Sequence, residues 1–333
     1  MPERLEQLTR WLRSDIGLAQ FEITPASGDA SFRRYFRIRY DGQTRIAMDA
    51  PPAQEDCRPY IAIARAFHSL GLHVPEVLEA DLEQGFLLLS DLGTRQYLPE
   101  LDSATAERLY GDALDALLVL QSRCTHQLIK LPPYDHALLL REMALFRDWF
   151  VQQHLTLQLQ PAQSAALEQT FEMLAQAALE QPTVCVHRDY HSRNLMVTDS
   201  NNPGILDFQD AVTGPITYDL VSLLRDCYIV WPPDQVYAWV KAYRLRLLRA
   251  GLLPEDNEAQ FLRWFDWMGI QRHLKAIGIF ARLNIRDGKP GYLQDIPRTL
   301  GYVVAVSRRY PELQALYDVL RETIVPRLAV LPA

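Results

Sequence analysis

The chain has 333 residues, of which 34 are Lys or Arg and 41 are Asp or Glu, so its formal net charge is −7. An acidic chain argues against a protein whose main partner is nucleic acid, because such proteins usually present a strongly basic face. Hydrophobic residues make up 48% of the chain, which is enough to bury a sizeable core. The charged start and the lack of a long apolar run predict a cytoplasmic protein with no membrane partner.

The N-terminal part is predicted to be rich in strands. Apolar residues recur at helical spacing over residues 3–16 and 54–70, which predicts two amphipathic helices. Short strands are predicted by alternation of apolar and polar residues, or by apolar runs between turns, at residues 36–40, 46–48, 77–78 and 86–89.

Helical periodicity dominates beyond residue 93. Helices are predicted at residues 104–122, 137–156, 162–180, 217–230, 234–250, 256–282 and 310–326. Short strands interrupt them at residues 183–187, 195–197 and 204–208. Because strands and helices do not alternate strictly, a doubly wound sheet is not favoured. We expect an α+β fold with a small β-rich lobe over residues 1–92 and a larger helical lobe over residues 93–333.

One segment contains a set of residues suited to phosphoryl transfer. Residues 187–196 read HRDYHSRNLM and residues 206–208 read LDF. Transfer from ATP needs a carboxylate that orients the attacking hydroxyl and accepts its proton, and oxygen ligands that hold Mg²⁺. We therefore predict Asp189 as the catalytic residue and Asn194 and Asp207 as the metal ligands. His187 is predicted to support the loop by packing and hydrogen bonding.

This set resembles the catalytic and metal-binding loops of the protein-kinase superfamily. The form of the loop, its helical surroundings and the PITYDL segment at residues 215–220 are closer to the aminoglycoside phosphotransferase branch of small-molecule kinases. The resemblance implies a protein-kinase-like two-lobed fold with ATP between the lobes and Mg²⁺ as cofactor. It also implies that Asp219 braces the catalytic loop, that residues 1–92 bind the nucleotide, and that residues 93–333 carry the catalytic loop and the acceptor site.

Three further segments resemble, more narrowly, the bacterial anomeric kinases of N-acetylmuramate and N-acetylglucosamine. These segments read GDASFRRYFR at residues 28–37, MDAPP at 48–52 and LDFQDA at 206–211. This resemblance implies phosphorylation of the anomeric (C1) hydroxyl of one or both amino sugars, a step in peptidoglycan recycling for the cell wall.

A turn near the N-terminus lies where a kinase-like fold covers the phosphates. Small side chains and backbone N–H groups in such a turn can approach the phosphates closely. The residues predicted to bind the nucleotide are Ser27, Gly28, Asp29, Ala30, Ser31 and Arg33.

The strand over residues 45–49 departs from the kinase pattern, because it has no Lys to pair with a helix Glu. Glu55 and Asp56 therefore lack their expected partner. Three explanations stay open: another cation contacts the phosphates, Mg²⁺ carries more of their charge, or catalysis is weak or absent. The candidate cations are Arg33, Arg34 and Arg37, and the intact Asp/Asn/Asp set favours activity.

Residues 263–298 reverse the sign of the overall charge, with seven basic residues against three acidic ones. Such a segment suits a neutral or anionic acceptor and disfavours a polycation. We predict Arg272, His273 and Lys275 as contacts of the acceptor. A solvated helix face is the alternative interpretation of the same charges.

The predicted function is thus an ATP-dependent kinase of an amino sugar, whose partners are ATP and the small-molecule acceptor. Kinases of choline, homoserine, a pentose or an aminoglycoside are alternatives within the same class. A nucleotide-binding pseudokinase is an alternative from a different class, and the missing Lys is its main support. The preference between the two amino sugars and the oligomeric state stay open.

Overall fold

A computed structural model describes residues 2–28 and 32–329, and the chain divides into two compact units. The first unit comprises Met1–Lys130 and Arg193–Ala211, and the second comprises Leu131–Ser192 and Val212–Ala333. The boundary predicted near residue 92 marks a change from strands to helices along the chain, and as a functional boundary it stays a prediction.

Strands dominate the N-terminal part of the chain, and helices dominate the remainder. The helices are α1 (Pro2–Ser14), α2 (Cys57–Ser69), α3 (Tyr97–Glu100), α4 (Ala106–Arg123), α5 (His136–Leu145), α6 (Pro161–Leu179), α7 (Tyr218–Leu224), α8 (Pro233–Arg249), α9 (Glu258–Asp287), α10 (Ile296–Ser307), α11 (Gln314–Val319) and α12 (Val325–Leu328). The strands are β1 (Glu22–Gly28), β2 (Arg34–Tyr40), β3 (Gln43–Asp49), β4 (Val77–Asp81), β5 (Phe86–Ser90), β6 (Thr183–Val186), β7 (Leu195–Met196), β8 (Gly204–Ile205) and β9 (Val212–Pro215). Phe146–His154 and Leu320–Ile324 are π-helical, and Pro290–Asp295 and Pro311–Leu313 are 3₁₀-helical.

The first unit contains an antiparallel five-stranded sheet in the order β1-β2-β3-β5-β4. The strand register places Phe36, Ala47 and Leu88 side by side, and this face packs against Leu8 and Trp11 of α1. Because side chains alternate between the faces of a strand, the neighbouring residues of β2, β3 and β5 lie on the face away from α1.

Asp49 ends β3 on the α1 side of the sheet and is fully buried. It accepts hydrogen bonds from Nε of Arg4 at 3.1 Å and from Nε of Arg34 at 3.0 Å. A carboxylate buried in this way is tolerated only when its charge is matched, because removing it from water costs several kcal/mol. The two guanidinium groups supply that match and link α1 to the sheet.

The second unit is built around α9, a helix of 30 residues. Helices α5, α6, α7 and α10 all pack against it. Its middle is buried on every side, from Phe265 to Lys275, as expected of a helix enclosed by others. Gly278 allows the close approach of α5, because a Cβ atom there would lie 2.3 Å from the carbonyl carbon of Leu145.

Most predicted helices and strands are confirmed, and the departures have local causes. Strand β1 was not predicted because Pro25 and Gly28 interrupt its pattern. Helix α10 was not predicted because Pro297 and Gly301, two poor helix formers, lie in its first half. The helix predicted over residues 217–230 ends at Leu224, where the chain turns away from helical geometry. Within residues 2–28 and 32–329, every helix is too short or too polar to cross a bilayer.

Asp49→Asn is expected to lower the free energy of unfolding by about 2–4 kcal/mol, because it leaves two guanidinium groups without their buried anion. Urea unfolding measures this change. Asp56→Asn is the matched control, since Asp56 is an exposed N-cap paired with Arg58 and Asn also caps helices. Equal and small effects of the two substitutions would contradict a stabilising role for Asp49.

Candidate active site

The predicted catalytic loop follows directly from β6, which pairs with β9 in the second unit. At the start of the loop, Asp219 accepts hydrogen bonds from the backbone N–H of His187 at 2.7 Å and of Arg188 at 3.0 Å. Asp219 is fully buried in the first turn of α7. These two bonds are the contacts through which Asp219 would brace the loop.

The other end of the loop is held by a residue that the sequence did not single out. Asp226 accepts hydrogen bonds from the backbone N–H of Ser192 at 2.9 Å and from its hydroxyl at 2.5 Å. Asp226 is itself buried, and it also accepts from the backbone N–H of Tyr228 at 2.9 Å. The sequence shows an acidic residue two positions after the end of α7, but not which donors its carboxylate meets.

The candidate base, Asp189, lies between these two braces and is half-buried. Its backbone N–H donates to Nδ1 of His187 at 3.3 Å, and its carbonyl oxygen accepts from the backbone N–H of His191 at 3.0 Å. His187 is buried and packs edge-to-face on Tyr190. The backbone around Asp189 is therefore held by local contacts on both sides.

A cluster of buried charges lies behind the loop in the same unit. Glu142 of α5 forms ion pairs with Arg188 and with Lys275, the latter at 3.2 Å, and accepts a hydrogen bond from the hydroxyl of Tyr134. Burial acts to raise the pKa of Asp189, but the surrounding positive charges, foremost that of Lys275, outweigh it and lower the pKa to about 2. Asp189 is therefore ionised at any physiological pH.

The two candidate metal ligands lie in the first unit, next to the paired strands β7 and β8. The backbone N–H of Leu206 donates to the carbonyl of Asn194 at 2.9 Å, and Nδ2 of Asn194 lies 3.3 Å from Oδ2 of Asp207. Nε2 of Gln209 donates to Oδ1 of Asp207 at 2.7 Å. The two predicted ligands are thus neighbours in space as well as in the motif.

The donor set suits Mg²⁺ better than a metal held by protein ligands alone. Mg²⁺ is usually bound by one or two carboxylate or amide oxygens, with phosphates and water completing its shell. In the described part of the chain, no three His, Cys, Asp or Glu residues cluster as a metal cage would require. Asn194 and Asp207 would therefore hold the ion together with a phosphate-bearing ligand.

The predicted nucleotide-covering turn lies only partly within the described residues. Ser27 and Gly28 end β1, where they pair with Tyr35 and Arg34 of β2. Asp29, Ala30 and Ser31 lie outside the described residues. Their nucleotide-binding roles stay predictions.

Arg33 follows the turn and forms an ion pair of 2.9 Å with Glu55. Glu55 therefore has a cationic partner, although it is not the Lys of the kinase pattern. Asp56 pairs instead with Arg58, in an exposed contact at the start of α2.

The three residues predicted to contact the acceptor lie on α9 in the second unit. Their exposed fractions are 5% for Arg272, 1% for His273 and 8% for Lys275. The alternative of a solvated helix face is therefore wrong for these three residues. Their role as acceptor contacts stays a prediction.

Their surroundings differ. Nε2 of His273 lies 2.8 Å from the carbonyl of Arg225, and burial lowers the pKa of His273 to about 3, so its ring is neutral near pH 7. Lys275 is occupied by Glu142 and donates to the hydroxyl of Tyr218 at 3.1 Å. Unlike Lys275, Arg272 has no carboxylate of the residues described within ion-pair distance. Its Nη1 lies 3.8 Å from Sγ of Cys227.

The antiparallel sheet of the first unit and the helical second unit are typical of a kinase-like phosphotransferase. The chain belongs to the phosphotransferase enzyme family, whose sequence model matches residues 22–262. It is 46% identical to the N-acetylmuramate/N-acetylglucosamine kinase of Pseudomonas aeruginosa over 327 residues, covering 95% of this chain and 96% of that protein. It is 44% identical to the kinase of the same name from Neisseria meningitidis over 327 residues, covering 97% of this chain and 96% of that protein.

Solved structures confirm the predicted protein-kinase-like fold. The GDP complex of aminoglycoside 2′-phosphotransferase-IIIa superposes with a TM-score of 0.64 at 14% identity, covering 92% of this chain and 99% of that one. The choline kinase LicA from Streptococcus pneumoniae gives a TM-score of 0.62 at 10% identity, covering 90% of this chain and 99% of that one. At such low identity these similarities establish the fold alone. Membership of the family implies that ATP is used.

The brace at the start of the loop predicts a pH-dependent stability. Burial raises the pKa of Asp219 to about 7, although two backbone amides act to lower it. A carboxyl whose pKa is raised on folding stabilises the protein fully below its unfolded pKa of about 4, and this contribution is lost as the pH rises through its folded pKa. The difference in unfolding free energy between the wild type and Asp219→Asn should therefore shrink as the pH rises from about 4 to about 7.

Urea unfolding across this pH range measures the difference. Asp234→Asn removes an exposed carboxylate in the first turn of α8 and controls for the loss of one negative charge. A difference for Asp219→Asn that stays constant or grows with pH would contradict a raised pKa.

Proposed function

We propose that this protein transfers the γ-phosphate of ATP to the anomeric (C1) hydroxyl of N-acetylmuramate, N-acetylglucosamine or both, as a step in the reuse of cell-wall sugars. The observation that carries this proposal is the 44% to 46% identity, over nearly the whole chain, to kinases named for these two sugars. The predicted catalytic loop, with its ionised carboxylate and two braces, supports the same chemistry.

In the proposed reaction, Asp189 accepts a hydrogen bond from the C1 hydroxyl and aims its oxygen at the γ-phosphorus. A bond forms between that oxygen and phosphorus while the bond from phosphorus to the β–γ bridging oxygen breaks, so that ADP leaves. The hydroxyl proton passes to Asp189. A carboxylate with a pKa of about 2 is a weak base, so the proton transfers late, as expected for a loose transition state.

Mg²⁺ bound with ATP would offset the charge of the phosphates. Asn194 and Asp207 are the residues proposed to hold it. Ser27, Gly28, Asp29, Ala30 and Ser31 are proposed to cover the nucleotide, as the family resemblance implies.

Arg272 is the residue proposed to distinguish the two sugars. N-acetylmuramate carries a lactyl carboxylate that N-acetylglucosamine lacks. What supports the proposal is that Arg272 is 5% exposed and has no carboxylate partner among the residues described, although it belongs to the same unit as Asp189. Asp189 and Asp226 act on Arg272 only from beyond ion-pair distance, and a carboxylate is the ligand that its fork of donors fits.

Asp189→Asn should reduce kcat by about 10²-fold or more with either sugar, because an amide cannot accept the hydroxyl proton. The wild-type protein is given ATP and Mg²⁺ with a panel of acceptors that comprises reducing sugars, choline and an aminoglycoside. Phosphorus NMR of the product then identifies the acceptor and the position of the new phosphate. Asp234→Asn is the control. Near-normal turnover by Asp189→Asn would exclude its role as base, and a product without an anomeric phosphate would exclude the proposed reaction.

Arg272→Gln should reduce kcat/KM for N-acetylmuramate about tenfold more than for N-acetylglucosamine, because only the first sugar loses a charge-assisted hydrogen bond. The second sugar is the internal control, since damage to the fold would affect both reactions alike. Equal losses for the two sugars would show that Arg272 does not bind the lactyl carboxylate.

A further inference from the structure

We propose that Glu142 is a positioning residue, which acts through Arg188 and keeps the backbone before Asp189 in the conformation that orients this proposed base. Glu142 lies 46 positions before Arg188 in the chain and belongs to none of the recognised motifs. The inference rests on the proposed function, in which Asp189 accepts the proton of the acceptor hydroxyl.

Arg188 has a backbone conformation that residues other than glycine rarely adopt. Its φ angle is +79°, in the left-handed region, where a Cβ atom crowds the following carbonyl oxygen. Residues of this kind persist where surrounding contacts hold them, and they concentrate at functional sites. Because Asp189 is the next residue, the conformation of Arg188 sets the direction in which the chain carries the proposed base.

Two buried carboxylates hold Arg188, one by its main chain and the other by its side chain. The backbone N–H of Arg188 donates to Oδ1 of Asp219 at 3.0 Å. Its guanidinium forms an ion pair with Glu142 and lies over the ring of Tyr134, with Cζ 5.8 Å from the ring centroid. Asp219 is fully buried, and Glu142 is 5% exposed. Both ends of the residue are thus fixed to the interior of the second unit.

Glu142 is itself held firmly by the centre of the unit. Its carboxylate accepts a hydrogen bond from the hydroxyl of Tyr134, lies 3.2 Å from Nζ of Lys275 and lies 3.5 Å from Nε2 of Gln271. Lys275 and Gln271 are one turn apart on α9. Burial acts to raise the pKa of Glu142, but the charges of Lys275 and Arg188 outweigh it and lower the pKa. An ionised Glu142 therefore connects α9 to the catalytic loop.

Loss of this connection should affect the chemical step more than binding. Without Glu142, Arg188 would keep its hydrogen bond to Asp219 but lose the anchor of its side chain. The backbone could then relax out of the left-handed region, and fewer molecules would present Asp189 in the reactive orientation. Orientation of a reacting group contributes to the rate of the chemical step, so kcat should fall while KM stays nearly constant.

Steady-state kinetics of Glu142→Gln is the first measurement. This variant keeps the shape of the side chain and removes its charge, so kcat should fall about tenfold while KM for ATP and for the acceptor changes less than about twofold. Glu168→Gln is the matched control, because Glu168 pairs with Arg147 in an exposed contact of the same unit. It should leave both parameters unchanged.

Substitutions of Arg188 test whether the effect passes through its backbone. Arg188→Gly should keep about fivefold more kcat than Arg188→Ala, because both lose the anchor but only glycine reaches a positive φ without a Cβ penalty. Glu142→Gln should cause no further loss of kcat in the Arg188→Gly background. Thr156 has a φ angle of +51° outside the loop, so its glycine and alanine variants should differ in stability and not in kcat.

Equal kcat values for Arg188→Gly and Arg188→Ala would overturn the proposal. So would an equal loss from Glu142→Gln in both backgrounds, or a loss that appears in KM alone. If Glu142→Gln does not fold, the two Arg188 variants decide the question, because both keep the ion pair of Glu142 with Lys275. All variants are assayed with the acceptor that the wild type phosphorylates. A wrong sugar assignment would therefore appear in the wild-type product and leave these ratios unaffected.

Discussion

The site depends on two buried carboxylates that hold the catalytic loop by its backbone. Asp219 receives the amides of His187 and Arg188 at one end, and Asp226 receives Ser192 at the other. Asp219 lies in the first turn of the short helix α7 and Asp226 follows its end, and the packing of α7 against α9 fixes their position. Because the loop is held through its amides, its backbone shape does not depend on the side chain of Asp189, the proposed base.

The charges around the loop follow from this constraint. A half-buried Asp189 would resist ionisation on its own, and the cations of α9 and of the loop overcome that resistance. Those cations are in turn partly balanced by Glu142, which pairs with Arg188 and Lys275. Two cations of the basic segment that the sequence indicated, Arg272 and Lys275, are thus part of an internal charge system of the second unit, and Arg272 has no anion within ion-pair distance among the described residues.

The sequence predicted what depends on local pattern and could not predict what depends on contacts between distant segments. The HRDYHSRNLM segment and Asp207 were recognisable because spacing and residue type carry the chemistry, and the first hairpin was recognisable from alternation. The pairing of Arg33 with Glu55 joins residues 22 positions apart across a turn, and no pattern distinguishes it from a pairing by Arg34. Asp226 was likewise hidden, because its importance lies in a backbone amide that it reaches only in the folded chain.

The account is tested most directly by a crystal structure of the protein with a non-hydrolysable ATP analogue, Mg²⁺ and N-acetylmuramate. It predicts the C1 hydroxyl within hydrogen-bond distance of the Asp189 carboxylate and in line with the terminal phosphate, with the metal bound by Asn194 and Asp207. A sugar that presents another hydroxyl to Asp189, or a metal held by other residues, would contradict it.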